Sequence, residues 1–274
     1  MVEVSIIIPC YNHGKFLPET IDSLKNIDTQ KVEVIIINDG STDIETIKVL
    51  EDLEKKGYYV INKMNEGLGA ARNTGIKESK GKYILPLDSD NRIEIEYITK
   101  ALSIFKSDSN IDIVYSDKYL FGILQGEDKL PDFNLQKMML ENYIDACAFF
   151  KKELWEKLEG FDEKMPYMGY EDWDFWLRSS FAGANFYHIP KCLFHYRVEH
   201  TSMLKSMAGI KKKAVRDYLF TKHNQYLNPL EIELYFFQRF SSNPIAFTLK
   251  LFIRKFLPKL YSKFILKGYI RENL

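Results

Sequence analysis

Residues 32–43 read V-E-V-I-I-I-N-D-G-S-T-D, a β-branched run that ends abruptly in a polar turn. The run over Val32–Ile37 reads as a buried strand, and the cluster from Asn38 to Asp43 marks its carboxyl end. The same order recurs on either side. Val4–Ile8 runs into Pro9-Cys-Tyr-Asn12, and Tyr83–Leu87 runs into Asp88-Ser-Asp-Asn91. A further strand over Tyr58–Ile61 and amphipathic segments between the runs complete the pattern. Strand and helix in alternation predict an α/β fold with a mostly parallel sheet flanked by helices. Ligands of such sheets bind outside the carboxyl ends of the strands, so three polar clusters are expected around one crevice.

Beyond Asp90 the pattern changes. Strands are predicted over Ile111–Ser116 and Asp145–Phe150, a helix over Glu171–Phe181, and a short strand near Cys192–Tyr196, as an extension of the same domain. From about Leu204 the chain reads helical, aromatic and basic. The expected organisation is one domain over 1–203 and a helical extension over 204–274, the domain divided into a first part (about 1–110) that bears the three polar clusters and a second part (about 111–203). In the tail, Leu249, Phe252, Ile253, Phe256, Leu257, Leu260 and Phe264 are interleaved with Lys250, Arg254, Lys255, Lys259 and Lys263. That pattern suits a helix lying in an anionic membrane interface, and equally one packed on the domain or on a second copy; Pro258 is expected to kink it.

The 274 residues are 46% hydrophobic and 28% charged, a globular composition. Their 38 basic and 38 acidic side chains cancel, which argues against a nucleic-acid partner. Cys10, Cys147 and Cys192 are odd in number and widely spaced, with no signal peptide ahead of them, so a cytoplasmic location is expected. No run approaches the roughly 20 apolar residues of a membrane-spanning helix, which leaves peripheral contact with the inner face of the membrane as the membrane option.

Asp88 and Asp90 form an Asp-x-Asp after a strand. Two carboxylates on one loop suit Mg²⁺ or Mn²⁺, which take oxygen ligands and share them with a diphosphate. The alternative is a surface turn in which the aspartates cap a helix beginning near Ile93. Asp39 lies at the same sheet edge and can accept a hydrogen bond from a base, whereas Ser41, Thr42 and Asp43 suit a helix N-cap. The stretch N-E-G-L-G-A-A-R-N-T-G at 65–75 lacks the Lys-Ser/Thr of a P-loop and reads as a helix entered through small residues, with Arg72 either reaching a diphosphate or forming a surface ion pair. Glu171 and Asp172 open an aromatic helix. They are either an acidic first turn or, for Asp172 beside Trp173 and Trp176, a general base for an acceptor hydroxyl. The two tryptophans share one helix face and suit a core better than a sugar platform. Arg197 and His200 could hold diphosphate oxygens or the metal.

Taken in order, V-S-I-I-I-P-C-Y-N (4–12), N-D-G-S-T-D (38–43), N-E-G-L-G-A-A-R-N-T-G (65–75), L-D-S-D-N (87–91), G-Y-E-D-W-D (169–174) and Y-R-V-E-H-T-S (196–202) resemble the inverting family 2 glycosyltransferases of the GT-A fold. The resemblance implies transfer of a sugar from a nucleotide-diphosphate sugar, with uridine as the nucleoside, to an acceptor hydroxyl of a glycan or lipid-linked glycan, with Mn²⁺ or Mg²⁺ as cofactor. It implies donor contacts from Pro9, Tyr11, Asn12, Asp39, Arg72, Asp88, Ser89 and Arg197, with Tyr11 stacked on the base. Asp90, Asp88 and His200 would be metal ligands, Asp172 the base, and Glu171 its catalytic neighbour. Asn38 stands where the family more often has Asp, and His200 comes one residue later than usual. A metal-dependent sugar nucleotidyltransferase and a non-catalytic binding subunit are the competing classes. The first is disfavoured because Pro9-Cys-Tyr-Asn12 replaces the glycine- and basic-rich loop it needs after strand one.

Overall fold

The computed structural model describes residues 1–199, 210–226, 237–238 and 240–256. Four parallel strands, β1 (Val4–Cys10), β2 (Val32–Asp39), β3 (Tyr59–Lys63) and β4 (Tyr83–Pro86), form one half of a nine-stranded sheet in the order β3-β2-β1-β4. The chain runs outward from β1 to β3 and then returns to β1's other side. The ends of β1 and β4 therefore splay apart at a topological switch point, where a crevice opens.

Helices α1 (Leu17–Asp22), α2 (Ile44–Lys55), α3 (Leu68–Glu78) and α4 (Ile95–Ser107) cover the two faces. Strand alternation decides which face each side chain joins. Val4, Ile6, Ile8 and Ile36 point into a core shared with Leu50 and Leu53 of α2 and Tyr97, Ala101 and Phe105 of α4. Ile7, Ile35 and Ile37 point the other way, toward α3 and the tryptophan helix. Gly75 lets α3 lie close on the sheet, since a Cβ there would stand 2.5 Å from Ile37 Cδ1 and 2.6 Å from Ile7 Cγ2.

The second half of the sheet continues through β8 (Phe149–Lys151), β6 (Ile111–Gly122), β9 (Asn185–Val198) and β5 (Arg92–Ile93), with β7 (Gly126–Asp128) paired to β6. Helices α5 (Leu135–Leu140), α6 (Lys152–Lys157) and α7 (Glu171–Phe181) accompany it. Two expectations need correction. The strand expected over Asp145–Phe150 begins only at Phe149, because Asp145 turns its carboxylate onto the Cys147 N–H (3.0 Å) and breaks the extended run. The short strand expected near Cys192 is the centre of the fourteen-residue β9, which pairs with β6 along its length. That register skips Pro190 and Lys191, and Pro190, which has no N–H to donate, thus falls at the irregularity.

Helices α8 (Ile210–Lys222) and α9 (Pro244–Phe256) follow. Among the described residues no helix is long and apolar enough to cross a membrane.

Candidate active site

The loop after β2 is held by the loop after β1. Asn12, at φ 51°, accepts from the N–H groups of Thr42 (2.7 Å) and Asp43 (2.9 Å), and its own N–H donates to Ser41 Oγ (3.1 Å). Asp43 is the N-cap of α2, accepting from Thr46 N at 2.8 Å, so the capping reading of this segment holds. Gly40 supplies the turn at φ 69°, where a Cβ would meet Asn65 N at 2.6 Å. Asp39 is buried with both oxygens on the α3 entrance: Oδ1 accepts from Glu66 N (3.1 Å) and Oδ2 from Gly67 N (3.0 Å), with Lys63 Nζ 3.4 Å away. It thereby caps the amino end of α3 from another strand, since Gly67 at the N-cap has no side chain. Pro9 is buried in β1, and Tyr11, 49% exposed, stands at the crevice rim.

The Asp-x-Asp loop does not cap a helix. The N-cap of α4 is Glu94, four residues past Asp90, and β5 intervenes. Asp88 Oδ1 instead accepts from Arg72 at 2.6 Å. Arg72 is no surface residue: it is 1% exposed, and its other terminal nitrogen pairs with Glu171, which also accepts from Gly169 N (2.7 Å). Burial works against the guanidinium's charge, but Asp88, Glu171 and Asp172 together hold it firmly ionised. One buried arginine thus ties the strand-end loop to the first turn of α7.

Burial raises the carboxyls of Asp90, Asp145 and Asp172 alike. Burial, and next the negative charge of Asp88, push Asp90 up to about 7. Burial, then Glu171 and Asp145, push Asp172 up to about 8, against the opposing pull of Arg72 and a hydrogen bond from Asn142. Tyr196 on β9 is raised too, by burial and then by the negative charges of Asp145, Asp88, Asp90 and Asp172. Crowded carboxylates of this kind accept a divalent cation readily. Among the described residues no three His, Cys, Asp or Glu side chains enclose a metal by themselves. Asp88 and Asp90 suit the partial coordination that Mg²⁺ or Mn²⁺ accepts when diphosphate and water supply the remaining oxygens. His200 lies outside the described residues.

Ser89 is buried, its carbonyl accepting from Thr20 Oγ1 (2.9 Å) and its hydroxyl 3.4 Å from His13 Nδ1. Arg197 is committed to the fold: its Nε donates to the Asp90 carbonyl (2.9 Å), a terminal nitrogen pairs with Glu19, and its guanidinium lies 4.4 Å from the ring centroids of Phe16 and Phe121. It braces the Asp-x-Asp loop from behind. Trp173 and Trp176 are core residues, as expected. Asp145, Asn142 and His13 join the site without any motif to announce them, and Tyr196 heads the Y-R-V-E-H-T-S stretch with no role expected of it. The signal for Asp145 is a lone acid ahead of an apolar run; for Asn142 there is no sequence signal.

Comparisons with known proteins agree with this geometry. Residues 5–158 match the family described as Glycosyl transferase family 2. A hyaluronan synthase of Pasteurella multocida is 31% identical over 246 residues, covering 86% of this chain but 24% of the relative, so the chain spans about a quarter of that protein's length. Staphylococcus aureus TarS 1–349 in complex with UDP-GlcNAc superposes with a TM-score of 0.61 at 21% identity, covering 75% of this chain and 61% of TarS. The mannosyltransferase PcManGT of Pyrobaculum calidifontis, in complex with GDP-Man and Mn²⁺, gives 0.61 at 18% identity, with 81% and 64% covered. These two likenesses establish the GT-A fold.

Proposed function

Because this chain belongs to glycosyl transferase family 2, we propose that it transfers a sugar from a uridine-diphosphate sugar to a hydroxyl of a growing glycan, free or lipid-linked, with inversion at the anomeric carbon. The observation that carries the reading is the Arg72 bridge, which joins the carboxylate loop of β4 to the helix end that bears Asp172. The relatives support the substrate classes: TarS is seen with UDP-GlcNAc, and the hyaluronan synthase makes a polysaccharide by name.

In this reading Asp172 takes the proton of the acceptor hydroxyl as the acceptor oxygen bonds to the anomeric carbon. The bond from that carbon to the diphosphate breaks on the opposite face, and its electron pair leaves with the nucleoside diphosphate. Burial serves the base, since a carboxylate with a raised pKa binds the proton more strongly. Asp90 and Asp88 would hold Mn²⁺ or Mg²⁺, which would supply positive charge to the leaving diphosphate. Arg72 and Glu171 fix Asp88 and the start of α7. Pro9, Tyr11, Asn12, Asp39 and Ser89 form the donor side, and Arg197 supports the metal loop.

We keep 1–203 as the catalytic unit and 204–274 as the extension, and place the protein in the cytoplasm at the inner face of the membrane. In α9, Ile245, Leu249, Phe252 and Phe256 recur at helical spacing, each more than half exposed, which suits insertion into an anionic interface. Pro258, Leu260 and Phe264 lie outside the described residues. Flotation with anionic vesicles tests this: loss of binding on truncation at Asn243 is expected, whereas a concentration-dependent dimer with no vesicle binding would assign the face to a second copy.

The activity is tested by a thermal-shift and turnover screen against UDP-, GDP- and dTDP-sugars with and without Mn²⁺. Stabilisation by UDP-sugars with metal-dependent release of UDP is expected. Well-folded protein that neither binds nor turns over any donor would overturn the reading in favour of a non-catalytic subunit.

A further inference from the structure

The segment between α5 and β8 is pinned to α7 by two indole N–H groups. Trp173 Nε1 donates to the Met138 carbonyl (2.6 Å) and Trp176 Nε1 to the Ile144 carbonyl (3.1 Å). Between these two anchors Asn142 directs its amide at Asp172, Nδ2 donating to Oδ2 at 2.9 Å. The other carboxylate oxygen, Oδ1, accepts the Trp173 backbone N–H at 2.8 Å. The amide oxygen of Asn142 is itself buried and has no hydrogen-bond partner among the described residues. Burying an acceptor unpaired costs the full desolvation of that group, so this side chain is a poor choice for stability alone. Among the described residues its one hydrogen bond is the N–H on Asp172.

We infer that Asn142 is a positioning residue of the transfer reaction, clamping the Asp172 carboxylate against the Trp173 N–H and keeping it ready to accept the acceptor's proton. This rests on the reading of Asp172 as the base. The groups facing that carboxylate are Glu171 and Tyr170 at the start of α7, Asp145 ahead of β8, Arg72 from α3 and Tyr196 from β9. Glu171 and Asp145 oppose its ionisation, and Arg72 favours it but is already shared with Asp88 and Glu171. Asn142 adds a directed donor that is neutral. It stabilises the ionised form without placing a competing charge beside the acceptor.

The test compares the full-length wild type with Asn142→Ala and Asn142→Asp. The first readout is the pH profile of Mn²⁺-dependent UDP release from UDP-N-acetylglucosamine at saturating metal. The second, which needs no substrate, is the carboxyl ¹³C titration of Asp172. Loss of one hydrogen bond to a carboxylate should move the Asp172 titration and the acid limb of the profile upward by about one pH unit in Asn142→Ala. Turnover at neutral pH then falls about tenfold and recovers at alkaline pH, while the melting temperature and the KM for donor stay near wild type. Asn142→Asp, which adds a carboxylate of the same shape, should move both further up, and it carries the test should the alanine variant fail to fold. An unmoved ¹³C titration overturns the proposal, as does an equal loss of turnover at every pH. Asp172→Asn is the control. If it still transfers sugar, the base assignment fails and this role with it; if it is inactive and the Asn142→Ala profile is unmoved, only the role of Asn142 fails.

Discussion

Asp172 and Asp174 stand two residues apart on α7 and meet opposite surroundings. Asp174 is buried too, which alone would raise its pKa, but a hydrogen bond from His223, the charge of Arg178 and contact with Lys222 outweigh burial and hold it well below the usual carboxylate range. His223 and Lys222 come from α8 and its end, so Asp174 is where the tail helix docks. Tyr218 and Lys222 add a second link, to Asp162 (2.7 and 2.5 Å). Asp172 faces the other carboxylates, where burial first, and then Glu171 and Asp145, raise it to about 8. One helix thus carries a carboxylate whose charge is fixed by cations and one whose charge is held in tension. The first suits stability, and the second suits the proton transfer proposed for it.

The contrast can be broken first at Asp172. Asp172→Asn should lower the transfer rate by about 10²–10⁴-fold, the usual contribution of a general base, while donor affinity measured by calorimetry stays within twofold. Equal losses of affinity and rate would remove the base assignment. On the metal side, Asp90→Ala should weaken Mn²⁺-dependent donor binding by about ten- to hundredfold, the loss of a charge-assisted contact of about 1.5–3 kcal/mol. Unchanged binding in Mn²⁺ would exclude Asp90 from the metal site.

The remaining two predictions concern stability. Asp174→Asn leaves Arg178 and Lys222 without their buried partner and should cost about 3–5 kcal/mol. Because Asp174 is depressed in the fold, its contribution is present above the ordinary value of 3.8 and lost as pH falls below it, so wild type and variant should converge in acid. Asp172→Asn should do the reverse. A carboxyl raised to about 8 binds a proton in the folded chain that the unfolded chain has already released above 3.8, so it weakens the fold progressively between those two values. The asparagine variant should therefore melt higher than wild type near pH 8 and equally at pH below 3.8, at about 2–4 °C per kcal/mol. Melting curves across pH for both variants check the pair, and a shift of the same sign in both would erase the contrast.

Much of this contrast could not be read from the sequence. The parallel half of the sheet was, because β1, β2, β3 and β4 are specified by local alternation and by polar residues at their ends. The helix over Glu171–Phe181 was found at its bounds, since its two tryptophans and Leu177 recur at helical spacing. The pairing of β6 with β9 was not, for it joins residues more than 70 apart and depends on a register that no local pattern encodes. Arg72 was visible as a candidate, but its burial between Asp88 and Glu171 requires three segments to meet. Asn142 and Tyr196 are ordinary residues given a role by what packs around them. The docking of α8 through His223 was hidden for the same reason.

The most direct test is a carboxyl ¹³C titration of the aspartate-labelled protein, with Asp172 and Asp174 assigned by their asparagine variants. The account predicts that the Asp172 resonance titrates near pH 8 and that Asp174 remains ionised below 3.8. Two resonances titrating together in the ordinary carboxylate range would contradict it.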